Sequence, residues 1–225
     1  ALDVIDERSK DKLLNKNTQK ISKFSEHKID DNSQKLPFDQ LARDQKRNDR
    51  KQVVFIDSQV QDYQTLINAF NKDTEVYLIQ SSEDGFKKID KVLKNDQEIS
   101  SLHIIGHGSA GKILFGNATL SNDTIQSYNQ TLRSIGQSLT EDGDILFYGC
   151  NVASTEGGKA LISKISEITK ADIAASDDVT GKGGDWDLEK KIGIVETKNV
   201  RVVGYDHSLL QNGITSIGSN VIEPS

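Results

Sequence analysis

Two short apolar runs, each stopped by a glycine turn that carries a reactive side chain, constrain this chain more than anything else in it. Leu102-His103-Ile104-Ile105-Gly106-His107-Gly108 and Asp144-Ile145-Leu146-Phe147-Tyr148-Gly149-Cys150 have the near-continuous apolar character of strands covered on both faces. Strands of that kind build parallel sheets, and open parallel sheets keep their sites at the carboxyl ends of the strands. If the two runs are neighbours, His107 and Cys150, the only cysteine, meet at one sheet edge. An imidazole beside a thiol is a base beside its nucleophile.

The surrounding pattern agrees with such a sheet. Residues 53–56, 75–79, 102–106, 145–148 and 172–175 read as strands. Between them, apolar residues recur at helical spacing. The sets are Tyr63, Leu66, Ile67 and Phe70; Ile89, Val92 and Leu93; Ile125, Tyr128, Leu132, Ile135 and Leu139; and Ala160, Leu161, Ile165 and Ile168. Ser81-Ser82-Glu83-Asp84 supplies capping residues for the second helix. Residues 111–116 and 118–120 predict a small hairpin. The alternation specifies an α/β fold of three layers, α/β/α, with a mostly parallel sheet and helices on both faces. Residues 181–195, with Trp186-Asp187-Leu188 inside them, predict an antiparallel hairpin at the sheet edge.

Residues 1–50 hold 12 Lys/Arg and 10 Asp/Glu with scattered apolar positions. Such a segment buries too little to offset its ordering entropy, and it is expected to be a mobile, propeptide-like leader. The folded domain is placed at residues 51–205, and 206–225, rich in Gly, Ser and Asn, is expected to be a linker to further sequence. With no methionine in the chain, a processed or excised piece is expected. The net charge of -6 argues against nucleic acid as a partner, because phosphate contacts need a basic face. No apolar stretch approaches the ~18–20 residues of a membrane span, so membrane insertion is not expected. No metal or other cofactor is expected. Asp172, Asp177, Asp178, Asp185 and Asp187 lack the calcium-loop spacings, and the glycines at 181–184 lack phosphate-loop spacing.

A thiol attacks as thiolate, and an ordinary thiol is only a few per cent ionised at neutral pH. A neighbouring imidazole takes the proton. Gly106, Gly108 and Gly149 leave room for a peptide backbone beside both groups, and the N–H groups of Gly108 and Cys150 can form an oxyanion hole, each donor worth roughly 3 kcal/mol. The plainer readings are a small buried hydrophobe at Cys150 and a structural or solvated histidine at His107. His103 shares the face of Ile105 and reads as structural. His27 and His207 lie in unpatterned sequence and are given no role.

The runs before His107-Gly108 and Gly149-Cys150, with histidine first and cysteine one strand later, resemble the catalytic blocks of caspase-like (clan CD) cysteine peptidases. That group includes caspases, legumains, gingipains, clostripain, separase and the autoprocessing domains of large bacterial toxins. More closely, residues 54–58, 103–111, 143–153 and 184–188 are similar to an uncharacterised domain near the start of very large bacterial surface proteins, often RTX, cadherin-like or repeat adhesins. This likeness covers about residues 52–197.

The resemblance implies a caspase-like fold, Cys150 as nucleophile and His107 as general base and acid, with Gly108 and Cys150 as oxyanion donors. It puts Asp57 where some relatives orient the histidine, although a strand-end turn former explains Asp57 equally well. It puts Asp177 and Asp178 near the pocket for the residue before the cut, where acidic groups favour Arg or Lys; a solvated acidic turn is the plainer alternative. The implied substrate is a polypeptide, either the parent protein, its flanking segments or a surface partner. A leader carrying Arg43, Lys46, Arg47, Arg50 and Lys51 is one such segment. The implied location is the bacterial surface, periplasm or exterior. Caspases carry a Gln-Ala-Cys block that this chain lacks, so Asp-directed cleavage is not implied. Two other readings stand beside the peptidase: a non-catalytic cap or interaction module of an adhesin, and a thiol-dependent hydrolase of small acyl or amide compounds.

Overall fold

The computed structural model describes residues 51–72 and 74–210; the expectations for residues 1–50 and 211–225 lie outside the described residues. Five strands of the main sheet are parallel: β1 (Lys51–Asp57), β2 (Glu75–Ile79), β3 (Ile99–Ile105), β7 (Leu139–Tyr148) and β8 (Asp172–Ala175). A sixth, β9 (Lys190–Ile192), runs antiparallel along β8. The order across the sheet is β2-β1-β3-β7-β8-β9. A second, antiparallel sheet contains β4 (His107–Ser109), β5 (Lys112–Phe115) and β6 (Ala118–Ser121). The helices are α1 (Tyr63–Asn68), α2 (Gly85–Leu93), α3 (Asn129–Gln137) and α4 (Glu156–Thr169), with a 3-10 turn at Ile125–Tyr128.

The fold is therefore α/β with a mostly parallel sheet, and the period-two alternation assigns its faces. Val53, Phe55, Leu102, Ile104, Ile145, Phe147 and Ile173 share one buried cluster with Phe86, Ile89, Leu132, Ile135, Leu161 and Ile165 of α2, α3 and α4. Val54, Ile56, Ile105, Leu146, Tyr148 and Ala174 share the other with Leu66 of α1 and with Trp186, Leu188, Val202, Tyr205 and Leu209. One outer layer is thus helical. The other is one short helix and the irregular chain after β8, because that stretch offers scattered apolar anchors rather than a helical stripe.

Local chemistry sets the element ends. Asp84 caps α2 by accepting the Lys87 N–H at 3.1 Å, and Thr155 caps α4 by accepting that of Gly158 at 3.2 Å; both satisfy donors left open in a first helical turn. Glu141-Asp142-Gly143, turn-forming residues by type, lie inside β7 as an irregularity. While β3 advances from Ile99 to Ser101, β7 advances from Leu139 to Asp144.

Two differences matter for the site. The chain leaves β3 at Gly106 and enters β4 at once, so His107 opens the second sheet. A Cβ on Gly106 would lie 2.8 Å from the Leu114 carbonyl oxygen and 2.9 Å from the Phe115 ring, which is why glycine stands at the crossing. The domain also continues past residue 205: Leu209 is fully buried, so the expected linker begins inside packed structure.

Candidate active site

Strands β3 and β7 are neighbours in register, with Ile105 opposite Tyr148, and the Gly106 N–H donates to the Tyr148 carbonyl at 3.1 Å. The two turns beyond them pack glycine on glycine. A Cβ on Gly108 would meet the Cys150 carbonyl oxygen at 2.6 Å, and one on Gly149 would meet the Gly108 nitrogen at 3.2 Å. Bare backbones are the condition for this approach, and they bring the His107 and Cys150 turns together at the carboxyl edge of the sheet.

The thiol is enclosed. Cys150 is completely buried, its Sγ accepts the Thr180 N–H at 3.3 Å, and the thiol faces the Thr180 carbonyl at 3.7 Å. Burial pushes the thiol up to about 11. The N–H groups of Thr180, Leu209 and Cys150 itself favour the thiolate and pull the other way, while the Asp178 charge adds to the rise. Thr180 is delivered by the turn after Cys150: Asn151, at a left-handed φ of 59°, donates its N–H to the Asp178 carbonyl at 2.6 Å, and Ala153 donates to Ser176 at 2.9 Å. Helix α4 starts at Glu156, several residues beyond the sulfur, so its dipole acts within its own first turn rather than on Cys150.

His107 is held between two backbone carbonyls. Its Nδ1 lies 3.1 Å from the Leu209 oxygen and its Nε2 3.3 Å from the Gln59 oxygen. Each ring nitrogen therefore faces a backbone carbonyl, one from the loop after β1 and one from the segment that carries Leu209. No hydrogen bond joins the imidazole to the thiol; the segment carrying Leu209 touches both.

Asp57 does not touch His107. One carboxylate oxygen accepts the Gln59 N–H at 2.9 Å and the other accepts the Gly116 N–H at 2.7 Å. It therefore fixes the loop whose carbonyl meets the imidazole, and it ties that loop to the second sheet. Asp177 and Asp178 part company. Asp177 pairs with Lys190 at 2.6 Å, which holds its carboxyl below the usual range. Asp178 stays beside the Cys150 turn, with a carboxylate oxygen 3.3 Å from the Ser176 hydroxyl. Partial burial and the nearby Asp185 charge raise it. Asp178, Asp185 and Glu189 gather exposed carboxylate oxygens within 4.8 Å of one another. His103 is the buried structural histidine that its place on the strand predicts, stacked on Tyr148.

Sequence reasoning missed Thr180, Gln59 and Leu209. Thr180 had a weak signal, since it follows the strand next to that of Cys150. Gln59 and Leu209 contribute backbone atoms, which residue types do not advertise. A groove of about 730 Å³ lined by Asn122, Gln126, Asn129, Arg133 and Lys164, among others, holds none of these groups. Among the described residues no helix is long and apolar enough to cross a membrane.

A family model described as a domain of unknown function (DUF4347) matches residues 53–209. The match spans both turns and ends at Leu209. No curated protein matches the chain.

Proposed function

We propose that this chain, which belongs to the DUF4347 family, is a cysteine endopeptidase of the caspase-like kind. Cys150 is its nucleophile and His107 its general base and acid. The observation that carries this reading is the packing of Gly108 on Gly149 and Cys150, which brings the turn of an imidazole against the turn of the only thiol at the end of adjacent parallel strands. The thiol gives its proton to the imidazole and attacks a substrate carbonyl. The imidazolium then protonates the departing amine, and water releases the acyl group from sulfur. Gly108 and Cys150 N–H groups serve the oxyanion.

The substrate is a polypeptide, with the parent protein or a surface partner as the first choice and the bacterial surface or exterior as the setting. Lys190 occupies Asp177, so a preference for Arg or Lys before the cut rests on Asp178. The second reading, a non-catalytic adhesin module, draws on the complete burial of the thiol.

The two readings separate in one assay. Wild type and Cys150→Ala are incubated with a mixed peptide library at neutral pH, and products are read by mass spectrometry. Cleavage by wild type alone is expected, and the residue before each cut tests Asp178. Equal silence from both proteins, with Cys150 unreactive to iodoacetamide after the segment around Leu209 is displaced, would establish the non-catalytic module instead.

A further inference from the structure

We propose that residues 206–210 are this site's own substrate, seated in cis, with the Leu209–Leu210 peptide bond presented to Cys150; this rests on the peptidase reading above. The segment lies between the two walls as an added strand. On one side the Lys182 N–H donates to the His207 carbonyl at 2.9 Å and the Leu209 N–H donates to the Thr180 carbonyl at 3.0 Å. Gly181 and Ser208 form the antiparallel bridge between those bonds. On the other side Leu210 pairs in parallel with Gly108. Extended peptides are recognised in this way, with main-chain bonds for affinity and a pocket for alternate side chains.

The chain is shaped for this backbone. A Cβ on Gly181, which has a φ of 95°, would lie 2.5 Å from the His207 carbonyl oxygen. Upstream, the Tyr205 hydroxyl donates to the Gln61 carbonyl at 2.8 Å, and Asp206 pairs with Lys182 at 2.7 Å. Leu209 belongs to the same buried apolar cluster as Cys150, Leu188, Trp186 and Tyr205. Its seat is apolar, so the cis cut follows leucine and not Arg or Lys.

Leu209 reaches both reactive groups through its backbone. Its carbonyl oxygen is 3.1 Å from His107 Nδ1, and its N–H donates to the same Thr180 carbonyl that the Cys150 thiol faces at 3.7 Å. In the reaction the thiol proton passes to His107 and the sulfur bonds to the Leu209 carbonyl carbon, the π pair moving to oxygen. The pair returns as the bond to the Leu210 nitrogen breaks, and His107 gives that nitrogen its proton. Water then cleaves the thioester, leaving a Leu209 carboxylate, a free thiol and a fragment that begins at Leu210.

The test uses the full 225-residue chain as wild type, Cys150→Ala and Cys150→Ser, held at neutral pH at two protein concentrations, with intact masses followed in time. Parallel samples receive the mixed peptide library. The expected result is a cut between Leu209 and Leu210 in wild type, absent from both variants, at a rate independent of concentration. Cys150-dependent cleavage of the library with the chain intact or cut at another bond, or a rate that rises with concentration, overturns the cis assignment and leaves the peptidase reading standing. No Cys150-dependent cleavage of either chain or library overturns both. Cys150→Ser guards against a folding defect in Cys150→Ala.

Discussion

Two histidines four residues apart have opposite surroundings, and their chemistry follows from that. His107 is bracketed by carbonyl oxygens from Gln59 and Leu209. His103 meets the Tyr148 hydroxyl at 3.3 Å through Nδ1, the edge of Phe70, and no partner for Nε2 among the described residues. Burial drives its pKa down to about 4 from an ordinary 6.5. The unfolded chain takes up this proton near pH 6.5 and the folded chain only near 4. The contribution of His103 is therefore complete above 6.5 and is lost as pH falls towards 4. The gap corresponds to about 3 kcal/mol. His103→Phe is expected to flatten the fall in urea midpoint between pH 7 and 4; parallel falls in both proteins would remove His103 as the cause. Thr180 offers a second case. Its buried hydroxyl has no partner among the described residues, whereas its N–H and carbonyl serve Cys150 and Leu209. Thr180→Val keeps the backbone contacts and the shape, so a gain of about 1 kcal/mol in denaturant unfolding is expected; a loss would show that the hydroxyl is satisfied in solution.

At the scale of elements, the site exists because β4 lies on the turn after β7, and that contact depends on two glycines with unequal room. A methyl group on Gly108 would run into the backbone of Gly149 and Cys150 at 2.6–2.7 Å, while one on Gly149 would find its nearest atoms at 3.2–3.3 Å. Gly108→Ala is expected to cost about 1–3 kcal/mol and to abolish cleavage, with Gly149→Ala clearly milder in both. Chemical denaturation beside the cleavage assay checks this, and the reverse order would mean that β4 is free to move. The parallel strands were legible in the sequence because apolar runs covered on both faces leave no polar alternation, and the capping residues ending at Asp84 marked the start of α2. The His107 and Cys150 turns were legible for the same reason. Strand β4 was not, since three residues carry no period. The 140–143 bulge was not either, because Glu-Asp-Gly is turn chemistry wherever it falls.

For the whole molecule, the segment at 206–210 puts Leu209 into the buried cluster that holds the thiol. Its two leucines are masked by the Gly/Ser/Asn-rich end that follows them, which reads as linker, and its hold comes from main-chain bonds to residues far away in sequence, which residue type does not encode. With Leu209 seated, Cys150 keeps its proton up to about 11 against an ordinary value of 9. Seating is therefore favoured by the protonated thiol below pH 9 and loses that support as pH rises towards 11. Leu209→Asp puts a carboxylate where Leu209 is fully buried, which the apolar seat rejects. Freed of the segment, the thiol returns towards its ordinary value. At pH 8 the thiolate fraction, and with it the initial rate of iodoacetamide alkylation, is expected to rise roughly 100-fold over Cys150 in the intact closed chain. The rate profile of the variant should bend about two pH units below that of the wild type. Coincident profiles in a folded Leu209→Asp protein would mean that residues other than this segment enclose the sulfur, and the closed state would then belong to the core of the domain rather than to the chain's own strand across its site.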